Sequence, residues 1–386
     1  MTATTADRRG AVDRNRAAVS TVFMVNGTAI GLWAVHIPII GAVHGIDEFV
    51  LGLVLLTVAG GAMATMPLAG WAAGRFGSDR ATRFFIAGFV LVMALPVLAP
   101  NLPLLFVAAL LFGMLNGGLD VAMNAQATDV ERARGRATMS SFHGFWSLGG
   151  LTGAAIGGVM IGAGWGDGSG LLLAACLAAA IIAFVWNWLL PLPDPAHQAG
   201  GPHFALPHGA ALVLGLLAMM VMVVEGAAAD WSALHLVQNT GATPAVAAAG
   251  FAAFSLAMAS CRFIGDAVTD RFGRVMVLRA GGFLITAGFL ITTLVPMPFV
   301  AAAGFGLIGL GAANIVPVLL GQAARLPGTA PGAGVAAVAT IGYVGFLAGP
   351  PLIGFLAKAI GLAGALGVLT LAGIILMLAA GMVRRR

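Results

Sequence analysis

Four acidic side chains and one cation fall inside or at the edge of long apolar runs: Asp120, Glu225, Asp230 and Asp266, with Arg262. An ionised group in hydrocarbon is costly unless it faces water or a partner, so these residues are the first candidates for a site. Glu225 is flanked by Val223, Val224 and Gly226. It sits about sixteen residues into its run, near mid-depth at about 1.5 Å per residue. A carboxyl at that depth suits reversible protonation. Asn116, Asp120 and Asn124 recur every four residues, with Gly113 and Gly117 beside them, which makes one polar stripe on a helix face. Glu225, Asp120 and Asp230 are therefore the candidate proton carriers. Arg262 either neutralises Asp120 or Glu225 or snorkels to the membrane border. Trp33, His36, Asn116, Trp146, Trp231, Arg262, Asn314 and Tyr343 are candidate walls of a cavity for a flat or sugar-like solute. The plainer alternatives are hydrogen bonding between helices for the amides and packing for the rings.

These groups need helices to carry them. The chain is 60% apolar and 9% charged, with a mean hydropathy of +1.01, whereas soluble chains carry about 25% charged residues. That excludes a soluble domain and predicts an all-α integral membrane protein. With about 20 apolar residues per crossing, twelve spans are expected near 18–42, 50–74, 82–100, 103–127, 139–163, 169–190, 209–235, 244–267, 275–296, 298–322, 332–357 and 362–383. Joins such as Ala99–Pro103 and Pro296–Pro298 should end one helix and start the next. Seventeen of the 19 basic residues fall on one side of this arrangement, Lys358 on the other, and Arg262 within a span. That asymmetry predicts both termini in the cytoplasm and a location in the cell's inner membrane. It also argues against nucleic-acid binding, because the arginines are dispersed among loops. Cys176 and Cys261 lie in apolar runs and read as buried thiols. The polar residues 1–16 precede the first run, so no removable signal peptide is expected.

The chain also repeats itself. Shifting by 196 positions carries Arg75-Phe76-Gly77 onto Arg271-Phe272-Gly273, Gly113 onto Gly309, Gln126 onto Gln322, Gly153 onto Gly349 and Gly158 onto Gly354. Two six-helix bundles are expected, 1–190 and 209–386, joined by a cytoplasmic linker at 191–208. His197, His203 and His208 lie in that linker and read as solvated; no metal or cofactor is expected.

Asp270-Arg271-Phe272-Gly273-Arg274 resembles the D-R-x-G-R loop of the major facilitator superfamily, with Gly74 replacing the Asp in the first copy. Gly149-x-x-x-Gly153-Ala154-x-x-Gly157-Gly158 is similar to the G-x-x-x-G-P-x-x-G-G signature of its proton-antiporting drug exporters, with Ala154 for Pro. Phe142-His143-Gly144, Trp146-Ser147-Leu148-Gly149-Gly150 and Glu225-Gly226 before Ala229-Asp230-Trp231 resemble the YbjJ-like branch, which looks related to the fucose permeases. The resemblance implies two pseudo-symmetric bundles, alternating access and a monomer. It also implies that Arg75, Asp266, Asp270, Arg271, Gly273 and Arg274 form a conformational latch that clasps the eleventh span.

The reading is a secondary transporter that exchanges a small organic solute with protons across the bilayer. Export by antiport follows from the glycine signature, and sugar-like uptake by symport from the fucose-permease kinship. Competing classes are a non-transporting solute sensor, a passive channel and an intramembrane enzyme. No phosphate loop supplies ATP chemistry, and no Ser/His, paired-Asp or His-Glu-x-x-His arrangement supports an enzyme.

Overall fold

Proline chemistry breaks two of the spans where a continuous helix would be expected. In the computed structural model the third span is α3 (Ser78–Val92) followed by the single turn α4 (Leu95–Leu98). Pro96 has no N–H for the carbonyl of Val92, four residues back, and its ring crowds that carbonyl. The tenth span divides in the same way into α11 (Pro298–Ala312) and α12 (Ile315–Ala323), with Pro317 four residues beyond Ala313.

The structure describes residues 5–135, 138–189, 209–323, 325–326 and 331–383. The other helices are α1 (Thr5–His44), α2 (Glu48–Phe76), α5 (Leu102–Arg134), α6 (Met139–Gly162), α7 (Ser169–Val185), α8 (Ala210–Thr240), α9 (Pro244–Phe272), α10 (Arg274–Leu294), α13 (Pro331–Val368) and α14 (Thr370–Ala379). Among the described residues, 11 helical stretches are long and apolar enough to cross a membrane. The last, Ala337–Val383, contains the non-helical Gly361 (φ 75°, ψ 160°) and so holds both the eleventh and twelfth expected spans. The expected linker and its histidines lie outside the described residues.

The helix ends follow local chemistry. Asn101 Oδ1 accepts the Leu104 N–H at 3.0 Å to start α5, and Thr243 Oγ1 accepts the Val246 N–H at 3.4 Å to start α9. In both helices a proline stands in the first turn, where no N–H is needed. Gly77 and Gly273 have φ of 101° and 78° at the α2–α3 and α9–α10 junctions, a region that a side chain disfavours.

By contact the chain forms two units, residues 1–40 with 57–198 and residues 41–56 with 199–386. In the first unit, α5 crosses α2 so closely that a Cβ on Gly113 would lie 1.9 Å from the Val58 carbonyl oxygen. In the second, a Cβ on Gly309 would lie 2.3 Å from the Phe254 carbonyl oxygen. The shift of 196 relates both glycines and both of their neighbours. The shift also carries Glu48–Phe76 onto Pro244–Phe272, the full length of α2 onto α9. The first unit's core is filled by Phe23, Phe89, Phe112 and Phe142, and the second unit's by Trp231, Phe251, Phe289 and Phe305.

Candidate transport site

In the first unit, small residues bring α1 and α6 together. A Cβ on Gly27 would fall 2.0 Å from the Trp146 carbonyl oxygen, and one on Gly153 would fall 2.1 Å from that of Thr28. This close approach lets the Trp146 indole Nε1–H donate to Asn26 Oδ1 at 2.8 Å. Asn26 Nδ2 in turn donates to Asn116 Oδ1 on α5, also at 2.8 Å. Three helices thus share one neutral hydrogen-bonded chain. Further along α5, Asn124 Nδ2 donates to the Asp120 carbonyl at 2.8 Å and to Asp120 Oδ1 at 3.2 Å. The expected stripe therefore exists, and its middle carboxyl is already engaged.

The structure places Trp33 against Phe112, ring centroids 5.1 Å apart, and buries it. His36 is wholly buried, and its Nδ1–H donates to the Leu32 carbonyl at 2.7 Å. Both residues belong to the packed interior of the first unit rather than to an accessible wall. Asn26, now central, is missing from the sequence-based candidates because it carries no charge. Its polarity inside an apolar run was the available signal.

In the second unit the chemistry is ionic. Glu225 Oε2 on α8 accepts from Arg262 Nη2 on α9 at 3.4 Å. The other carboxylate oxygen, Oε1, is buried with no hydrogen-bond partner among the described residues. The structure joins Arg262 to Glu225, one of the partners that the sequence left open to it. Beside Arg262, Asn314 Nδ2 donates to the Cys261 carbonyl at 3.3 Å and lies 3.1 Å from Cys261 Sγ. Gly265 makes room for it, since a Cβ there would meet Asn314 Oδ1 at 2.1 Å. Tyr343 on α13 is exposed, and Asp230 is partly exposed. Trp231 is fully buried, so it fills the core of the second unit instead of lining an open surface. Among the described residues, no group of three or more His, Cys, Asp or Glu side chains is placed to hold a metal ion.

The arginine-rich ends differ between units. Arg274 Nη1 donates to Gln322 Oε1 on α12 at 2.6 Å. The resemblance implied a grip on the eleventh span; here Arg274 holds the tenth. Asp270 and Arg271 are exposed, with the Arg271 guanidinium 5.7 Å from the Phe272 ring centroid. The Asp266 side chain lies outside the described residues. In the first unit Arg75 is exposed, and other residues hold that end together. Asp79 lies 3.8 Å from Arg83, Ser78 Oγ donates to Asp129 Oδ2 at 2.6 Å, and Arg134 pairs with Asp13 at 2.7 Å. Glu131 Oε2 accepts the Thr138 and Met139 N–H groups at 2.6 and 2.7 Å, which caps α6.

At the other end, within the second unit, Gln238 Nε2 donates to Glu48 Oε1 at 2.7 Å, and Lys358 Nζ approaches Asp47 Oδ2 at 4.0 Å. A Cβ on Gly354 would lie 2.6 Å from the Glu48 carbonyl oxygen, so α13 meets the first turn of α2 backbone to backbone.

Apolar spans, a repeated bundle and polar groups held inside it define a membrane transporter. The chain belongs to the Major Facilitator Superfamily, whose profile matches residues 19–228. It is 36% identical over 351 residues to an uncharacterised MFS-type transporter of Yersinia pestis, covering 90% of each chain. It is also 36% identical over 367 residues to the membrane protein MosC of Rhizobium meliloti, covering 93% of this chain and 87% of that one. Among solved structures, the nucleoside transporter NupG matches with a TM-score of 0.77 at 13% identity, over 96% of this chain and 100% of the other. The Escherichia coli fucose:proton symporter FucP matches with a TM-score of 0.65 at 16% identity, over 96% and 98%.

Proposed function

We propose that this protein couples proton movement to the transport of a small organic solute, with Glu225 as the proton carrier. The observation that carries this is the Glu225–Arg262 pair inside the spans, with one carboxylate oxygen that has no partner among the described residues. A proton taken up there cancels the carboxylate's attraction for Arg262. That loosens one hold on the guanidinium, which can then respond to a solute or to a change of conformation. Asp120 and Asp230 are secondary carriers. The Asn26–Asn116–Trp146 chain supplies neutral donors and acceptors of the kind that recognise hydroxyl or amide groups. Asn314 and Tyr343 supply polar contacts in the second unit. On this reading the protein lies in the inner membrane with its arginine-rich ends in the cytoplasm, in keeping with the positive-inside rule. The chain works as a monomer.

Export by antiport is the favoured direction, on the resemblance of the α6 glycine series to that of drug exporters. Uptake by symport is the second reading, favoured by the likeness in fold to the fucose:proton symporter. Proteoliposomes with an imposed pH gradient test both. Under antiport, solute moves opposite to protons; under symport, it moves with them. Glu225→Gln should reduce gradient-driven flux by at least about a hundredfold, equivalent to about 2.7 kcal/mol, while solute binding persists. Wild-type flux in that variant rejects Glu225 as the carrier.

A further inference from the structure

A cavity of about 760 Å³ lies in the first unit along α1, walled by α6 and α7. Its size falls within the range of about 300–1,000 Å³ typical of ligand pockets. None of Asn26, Asn116, Asp120 or Trp146 lines it, so it is separate from the transport site proposed above.

The cavity has two chemically different ends. Asp13, Arg16, Ser20 and Thr21 line one end, and the remainder is almost wholly apolar. Ile156 on α6 is 41% exposed, and Leu177 and Ile181 on α7 are 54% and 47% exposed. A cavity whose walls are exposed aliphatic side chains on membrane-spanning helices opens sideways, towards acyl chains. At the polar end the charges do not cancel. Asp13 is already committed to Arg134 at 2.7 Å. Arg16 has its Nε enclosed without a hydrogen-bond partner among the described residues. The end therefore presents a guanidinium with no counter-ion among the described residues, just before the apolar run of the first span.

We propose that this groove binds an anionic phospholipid from the surrounding bilayer, with its phosphate at Arg16 and one acyl chain laid along α1. A guanidinium matches phosphate oxygens with paired N–H donors, and basic pockets between spanning helices select anionic head groups. Ser20 and Thr21 stand where the glycerol and ester oxygens would lie. From Arg16 to Leu32 the groove follows sixteen residues of α1, about 24 Å at about 1.5 Å per residue. One leaflet contributes about half of the roughly 30 Å hydrocarbon core, so a complete acyl chain fits within it.

Native mass spectrometry of the full chain in detergent, supplied with dioleoyl phosphatidylglycerol or dioleoyl phosphatidylcholine, tests this. One phosphatidylglycerol should bind per chain in preference to phosphatidylcholine. Arg16→Gln should weaken phosphatidylglycerol binding about tenfold and leave phosphatidylcholine unchanged, since one charge-assisted contact is removed. Arg16→Lys should keep most of the preference. Ala178→Trp, which fills the groove, should exclude both lipids; Ala174→Trp replaces it if that variant does not fold. Equal binding of the two lipids by the wild type overturns the proposal. So does an undiminished preference in Arg16→Gln, or wild-type lipid binding in the groove-filling variant. Binding of oleate without phosphatidylglycerol also overturns it, and would assign the groove to a free amphiphile.

Discussion

The two units share a close helix crossing and a glycine turn but differ in the polar groups they hold inside. Gly113 meets Val58 as Gly309 meets Phe254, and Gly77 turns the chain as Gly273 does. Yet Ala29 and Met66 stand where the shift would put Glu225 and Arg262. Conversely, Met222, Ala312 and Gly342 stand where it would put Asn26, Asn116 and Trp146. One unit has a neutral amide–indole chain and the other an ion pair. Close approach of helices tolerates little change, because an added Cβ has nowhere to go. Side chains projecting into the interior of a unit are bound by no such requirement. The repeat thus fixes a scaffold and leaves each unit open to a separate chemistry: a neutral hydrogen-bonded chain in the first and an ion pair in the second.

The largest expected effect lies in the ion pair. Arg262→Gln leaves the Glu225 carboxylate buried and alone, a change that typically costs about 3–5 kcal/mol. The partial exposure of both side chains places this case at the lower end. Thermal unfolding should show that loss at neutral pH, and adding Glu225→Gln should restore much of it. Simple addition of the two losses would mean that the residues act independently.

A smaller effect is expected in the neutral chain. Asn26→Ala strands the Trp146 N–H and the Asn116 carbonyl oxygen, and should weaken solute binding about tenfold, or about 1.4 kcal/mol. Its pH dependence should remain that of the wild type, in contrast to Glu225→Gln. A flattened pH profile in Asn26→Ala would erase the division of labour between the units.

The smallest effect belongs to the α6–α7 loop, which bears on neither site. Asp167 accepts from Ser169 Oγ at 2.6 Å and from the Ser169 N–H at 3.0 Å. These bonds hold its carboxyl below the usual carboxylate range, the Ser169 hydroxyl contributing most. A depressed folded-state pKa adds stability above the unfolded value and loses it as pH falls through the folded value. Asp167→Asn should therefore matter only above the carboxylate range and vanish in acid. Denaturant titrations at pH 7 and pH 3 should show that change in sensitivity.

Much of the scaffold was legible in the sequence because it rests on local rules. Run length set the spans, Pro298 and Pro103 marked helix starts, and the 357/362 boundary brackets the kink at Gly361. Partnerships were less legible, because they depend on which helix faces which. Arg262 had two acids open to it in sequence, and only packing joined it to Glu225. Gln322 gave no local sign that it would hold Arg274. The charged end of the first unit drew on Asp79, Asp129 and Glu131, which lie outside the loop signature. The groove beside α1 is a property of three helices together, and no single periodicity encodes it.

The break before α12 has a mechanical meaning. The nine-residue rod Ile315–Ala323 is tethered near one end by Asn314 to α9 and near the other by Gln322 to α10. A rod held at both ends resists swinging but yields to torsion. About two and a half helical turns long, it spans from the neighbour of Arg262 at one end to the arginine-rich rim at the other.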